Sequence, residues 1–230
     1  MMRSDCLITP AEQSRDLVIA CTSYGGHSAP ADRFEWTRVL APAACHKIFL
    51  RDSMQHWFQG GLLGFSHSLE DTIEKLRAFI AARGITRILT LGSSMGGYGA
   101  LLLASLLRAE RTIAFAPQTS MEFGWMSSIG DLRWEQKLTE LRHLGLGELD
   151  LVALLRASGP PGHSQIVYPQ TIAFDVVHAR RLGEFSTTEL IEVVDGTHEL
   201  AINYVRSGWV SANVAGFLGQ DPADFNVGRG

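Results

Sequence analysis

Ser94 stands between two glycines in Gly92-Ser93-Ser94-Met95-Gly96, a GxSxG pattern in a chain of 230 residues. A serine hydroxyl is a weak nucleophile at neutral pH and becomes an effective one when a neighbouring base takes its proton during attack. The flanking residues suit that use. An apolar run at residues 88–91 is too short for a helix but right for a buried strand, and the Ala- and Leu-rich run at residues 100–104 has good helix propensity. A serine on a sharp strand-to-helix turn sits in strained backbone geometry, and only small neighbours let the chain pack that closely. The helix beyond it turns free amides and the positive end of its dipole toward the hydroxyl. The pattern alone is common; strand before and helix after make it specific. The chemistry this supports is acyl transfer, in which the hydroxyl attacks a carbonyl, amides hold the oxyanion and the base protonates the leaving group.

The elements that must position Ser94 lie on both sides of it. Residues 16–22 and 46–51 read as strands, the first followed by a glycine-bearing loop (residues 23–28) and the second by a long, aromatic, glycine-rich one (residues 52–64). Residues 34–40 fit a short helix. Ser68 with Glu70 and Asp71 has the composition of a helix start, Ile73, Leu76, Phe79 and Ile80 follow, and Gly84 marks the stop. Residues 87–91 and 112–117 are further strands. This alternation predicts an α/β fold, a mostly parallel sheet flanked by helices with right-handed crossovers, in a single domain over residues 1–230. Between residues 118 and 164 the alternation breaks. Phe123, Trp125, Met126 and Trp134 lead there into a leucine-rich helical pattern. Strands resume at residues 165–168 and 190–194, with a helix opening near Asp175. Residues 201–218 read as one closing helix, and a loose tail follows from residue 220.

The segment around Ser94 resembles the nucleophile elbow of the α/β-hydrolase superfamily, whose members keep the chain order serine, acid, histidine. The resemblance extends over the whole chain. It implies a serine hydrolase, carboxylesterase-like, that cleaves an ester or related acyl bond of a small molecule through an acyl-enzyme intermediate. It implies His198, in a Gly-containing loop after the last strand, as general base. Asp175, just beyond a strand end, is the implied triad acid, with Asp195 as the second candidate; an N-cap carboxylate is the structural alternative for Asp175. The chain departs from the family in one respect, since residues 169–174 replace the usual short glycine-containing loop before the acid. Oxyanion amides are implied at Met95 and at Tyr24 or Gly25, and residues 118–164 match a helical cap inserted between strands. Trp57 and Gln118, on loops leaving the same sheet edge as Ser94, are candidate substrate-pocket residues, the alternatives being ordinary packing for Trp57 and an exposed turn for Gln118. Of the remaining histidines, His178 stands out for its closeness to Asp175. Esterase, thioesterase, amidase, peptidase and acyltransferase share this machinery, and a catalytically inactive fold that binds a ligand or protein is the alternative from another class.

Composition narrows the partners. The chain is 46% hydrophobic and 19% charged with a net charge of −4, and its Lys and Arg are scattered, which argues against nucleic-acid or anionic-membrane surfaces and for a small-molecule acyl substrate. Cys6, Cys21 and Cys45 are odd in number and widely spaced, so neither a disulfide framework nor a zinc site is indicated, and Cys21 and Cys45 are expected to be buried thiols. No apolar stretch has the length of a signal peptide core or a membrane span, which leads to a cytoplasmic expectation. Without a phosphate loop, dinucleotide fingerprint or HExxH, no cofactor and no metal are expected. Oligomeric state is left open.

Overall fold

The apolar runs become one seven-stranded sheet in a computed structural model that describes residues 4–24, 34–147 and 149–225. In chain order the strands are β1 (Cys6–Thr9), β2 (Asp16–Cys21), β3 (His46–Leu50), β4 (Arg87–Ser93), β5 (Arg111–Phe115), β6 (His163–Pro169) and β7 (Thr188–Val193). Side by side they run β1-β3-β2-β4-β5-β6-β7. β1 pairs antiparallel with β3, Cys6 opposite Leu50, and the other six strands are parallel. β4 lies between β2 and β5, with Ile19 opposite Thr90 and Gly92 opposite Ala114. Successive connections leave β2 and β4 in opposite directions across the sheet, and the crevice between their carboxyl ends is where such sheets place ligands.

Both faces of the sheet are covered, which is why its central strands are apolar without alternation. Leu17 and Ile19 of β2 point to one face, together with helices α1 (Leu69–Arg83), α2 (Met95–Leu107), α5 (Leu151–Ser158) and α6 (Ala173–Leu182). Val18 and Ala20 point to the other, where α7 (Ala201–Arg206) and α8 (Trp209–Leu218) pack on Phe49, Leu91 and Phe115. The connection from β5 to β6 also holds α3 (Phe123–Ser128) and α4 (Glu135–His143). Helix α1 forms as its sequence demands: Ser68 accepts from the Asp71 amide at its start, and Gly84, at φ 60°, ends it. Helix α2 is buried on nearly all sides, which its Ala- and Leu-rich sequence permits. Among the described residues no helix is long and apolar enough to cross a membrane.

Three local expectations are corrected, and one strand is added. β1 is a strand the sequence did not announce, since only Cys6-Leu7-Ile8 is apolar and its formation depends on tertiary contacts: buried Asp5 accepts from the Ser53 and Leu63 amides, the Ser53 hydroxyl and Arg51 Nε. Residues 34–40 form successive turns rather than a helix, with Trp36 at φ 69° and its indole donating to the Cys21 carbonyl at 3.1 Å. The closing helix is two helices, because Gly208 at φ 82° breaks it between α7 and α8. The expected tail is ordered as far as Phe225: Pro222–Phe225 makes a 3₁₀ turn that buries the Phe225 ring, and residues 226–230 lie outside the described residues. Cys21 and Cys45 are buried as expected, and Cys6 is half-buried.

Candidate active site

Ser94 occupies the N-cap position of α2, directly after β4. Its φ of 53° and ψ of −120° put the backbone where L-residues rarely go, and its amide donates to the Phe115 carbonyl at 2.8 Å. The flanking glycines are required by space. A Cβ on Gly92 would lie 2.0 Å from the Gly96 carbonyl oxygen, and one on Gly96 would lie 2.4 Å from the Cys21 carbonyl oxygen. The elbow can therefore close only if both positions lack a side chain.

Two other segments converge on the serine. The turn after β7 carries His198, whose Nε2 lies 2.8 Å from Ser94 Oγ, and whose Nδ1 lies 2.7 Å from Asp175 Oδ2. Asp175 is in the first turn of α6, side chain 1% exposed, and its Oδ1 accepts from Arg133 Nη1 at 2.9 Å. With the ring proton on Nδ1 donated to Asp175, Nε2 is left to accept the Ser94 hydroxyl proton. The structure thus brings Ser94, His198 and Asp175 into one chain of hydrogen bonds. Asp195 is exposed on the turn after β7, and the carboxylate at His198 Nδ1 is that of Asp175.

The other site residues named from the sequence are placed as follows. Met95 is the first residue of α2, so its amide is one of the helix-start amides with no carbonyl inside the helix to receive it. Tyr24 is half-buried beyond the end of β2, its ring 4.6 Å from that of Trp134 and 5.6 Å from that of Trp57. Gly25 lies outside the described residues. Trp57 is fully buried rather than a cavity wall. Its indole donates to Gln118 Oε1 at 3.2 Å, and Gln118, also fully buried, reaches Ser94 Oγ with its Nε2 at 3.5 Å. Both therefore support the serine from behind and do not line the open space in front of it.

That space is a cavity of about 590 Å³ with Ser94 and His198 in its wall. Tyr24, Trp36, Trp134, Ile202 and Val205 make most of it apolar, and Glu35 and Glu199 place two carboxylates beside them. Glu35 also clamps the end of β2, accepting from the Ser23 amide at 2.9 Å and the Ser23 hydroxyl at 2.6 Å. Sequence reasoning missed Glu35 and Arg133. Neither sits in a motif, and each is brought to the site by contacts with residues 12 and 42 positions away.

Behind Asp175 lies another histidine, this one buried. His178 is fully buried in α6, accepts at Nδ1 from the Thr119 amide at 2.9 Å, and holds Nε2 3.4 Å from Asp131 Oδ2, at ion-pair distance without hydrogen-bond alignment. Burial pushes its pKa below the ordinary imidazole value against the pull of Asp131. For Asp131, burial alone would raise the pKa, but the hydrogen bonds and charge of Arg133, with the His178 ring close by, outweigh it and hold the carboxyl well below the usual range.

No protein-family profile matches the chain, and no curated protein matches it by sequence. Solved structures do match. A capsule O-acetyltransferase of Neisseria meningitidis serogroup A superposes with a TM-score of 0.63 at 13% identity, covering 91% of each chain. A carboxylesterase of Nitrososphaera gargenis gives 0.58 at 15% identity over 94% of each chain. A monoacylglycerol lipase of Paleococcus ferrophilus gives 0.54 at 12% identity, covering 96% of this chain and all of the other. These neighbours are hydrolases and an acyltransferase, and at such identities they establish architecture alone. Together with the parallel sheet and its flanking helices, they show that the chain has the α/β-hydrolase fold.

Proposed function

We propose that the protein is a serine hydrolase that cleaves an ester or related acyl bond of a small molecule through an acyl-enzyme intermediate, and that within residues 118–164 the part that carries Trp134 acts as a cap over the site, while α5 and the start of β6 belong to the body of the fold. The observation that carries this reading is the unbroken chain from Asp175 through His198 to Ser94, opening on a cavity. Ser94 Oγ attacks the substrate carbonyl carbon while His198 Nε2 takes the hydroxyl proton. Asp175 holds the imidazole in the required tautomer and stabilises the imidazolium, without taking the proton. The amides of Met95 and Tyr24 bind the oxyanion of the tetrahedral intermediate, a contribution of about a hundred- to a thousandfold in rate per donor. Collapse expels the leaving group with the proton from His198, and water activated by the same base releases the acyl group.

Trp134 comes from the segment between β5 and β6 and forms part of the cavity wall, which supports the cap assignment. Tyr24, Trp36, Trp134, Ile202 and Val205 favour an uncharged, apolar portion on the substrate, and the carboxylates of Glu35 and Glu199 disfavour an anionic one.

Reaction of the purified protein with a fluorophosphonate, followed by mass spectrometry, tests the reading. Labelling is expected on Ser94, absent in Ser94→Ala and His198→Ala, and slower in Asp175→Asn by as much as about ten-thousandfold. A folded wild-type protein that takes up no label, beside a serine hydrolase that does, would favour the non-catalytic binding fold.

A further inference from the structure

Two buried carboxylates share one guanidinium behind the His198 ring. Arg133, in the link from α3 to α4, donates from Nη1 to Asp175 Oδ1 at 2.9 Å, and from Nη2 and Nε to the two oxygens of Asp131 at 2.7 and 2.8 Å. Its guanidinium lies 5.2 Å from the centre of the Phe174 ring, one residue before Asp175. The Arg133 side chain is 27% exposed, against 1% and 0% for the carboxylates it bridges. Asp131 is held in turn by the Arg133 amide and by the approach of His178.

We propose that Arg133 is a positioning residue for the triad acid, and that it makes the catalytic geometry depend on the docking of the segment between β5 and β6. The inference rests on the triad reading above. An aspartate carboxylate turns easily about its last torsion, so a single bond from Oδ2 to His198 does not fix its plane. The charge-assisted bond to Oδ1 does, and it also partners an oxygen that burial would otherwise strand. A guanidinium suits the task because its planar fork grips Asp131 on two sides while a third N–H direction remains for Asp175; an ammonium cannot hold both with the same geometry. Without Arg133, Asp175 and hence the imidazole lose their alignment. A misplacement on the order of 1 Å at a reacting group lowers rate by up to about a hundredfold.

The test measures Ser94 labelling by a fluorophosphonate across probe concentrations, separating the maximal rate from the probe concentration at half-maximum, with thermal unfolding alongside. Arg133→Gln is expected to lower the maximal rate about ten- to a hundredfold while the half-maximal concentration stays within about twofold, and Arg133→Lys is expected to fall between. Because Arg133→Gln strands a buried Asp131, the double variant Asp131→Asn with Arg133→Gln is the deciding protein. It is expected to regain melting temperature relative to Arg133→Gln and to stay slow. Recovery of the labelling rate together with stability in the double variant, or wild-type rates in folded Arg133→Gln, would overturn the positioning role and leave the triad intact. Absence of Ser94 labelling in the wild type would remove both.

Discussion

Ser94 has the dihedral angles of the first central position of a type II′ turn, φ 53° and ψ −120°, a place normally given to glycine. Holding an L-residue there costs on the order of 1–3 kcal/mol, which the packing around the elbow must offset. Comparing Ser94→Gly with Ser94→Ala isolates that strain. Both variants lose the hydroxyl and with it the 2.8 Å bond to His198 and the 3.5 Å contact from Gln118, so those losses cancel. The glycine variant relieves the strain but gains freedom in the unfolded chain, which returns about 0.4–1 kcal/mol. The glycine protein is therefore expected to be more stable than the alanine protein by about 1 kcal/mol, or about 2–4 °C in Tm for a chain of this length. Guanidinium chloride unfolding reads the difference directly: the midpoint moves up and the slope is unchanged, because the surface exposed on unfolding is the same. An alanine variant as stable as the glycine variant would refute the idea that the elbow stores strain at its serine.

The neighbouring glycine makes the opposite case. Gly96→Ala would drive a Cβ to 2.4 Å from the Cys21 carbonyl, so α2 has to lift from β2; a loss of about 2–3 kcal/mol or more is expected in thermal unfolding, and a loss under 1 kcal/mol would show that the contact yields easily. Acid is expected to weaken the fold in two stages. A histidine whose folded pKa is depressed binds its proton more readily when unfolded, so the His178 contribution is complete above the ordinary value near ~6.5 and falls as pH drops below it. Asp131, held low, keeps its contribution above the ordinary carboxylate value of 3.8 and loses it as pH falls further. Denaturation midpoints measured from pH 7 to pH 5 are expected to decline in the wild type and to decline less in His178→Gln; parallel curves would argue against the buried neutral imidazole.

What could be read from the sequence follows the reach of the physical signals. Helix α1 was legible at both ends, because Ser68 and Gly84 act on amides and carbonyls within a turn of themselves. Ser94 was legible because its glycines, strand and helix are contiguous. Gly208 had the same local cue, but the apolar pattern running through residues 201–218 outweighed it, and the positive φ that splits α7 from α8 emerged only with the packed chain. β1 and Arg133 had no local signal at all. One depends on Asp5 meeting Ser53 and Leu63, the other on a loop folding back onto α6. Trp57 shows a choice that local sequence leaves open. Its loop suited a pocket wall or ordinary packing, and packing is what forms: Asp52 gathers the His56 and Phe58 amides at 2.7 and 2.8 Å and the indole is folded inward. A single carboxylate capping its own loop reverses the side chains' direction, and composition alone does not show which way they turn.

The separation of the site groups along the chain also makes them a clock for folding. Ser94 and His198 are 104 residues apart, Arg133 and Asp175 are 42 apart, and Asp175 and His198 are 23 apart. Of these, the contact between Ser94 and His198 requires the largest loop to close, and it is expected to form after the local helices. A refolding chain that has regained its helical signal but has not yet docked the turn after β7 would look nearly native by spectroscopy and be chemically silent toward a serine-directed probe. The interval between the two signals would measure the time needed to complete the carboxyl-terminal half of the sheet.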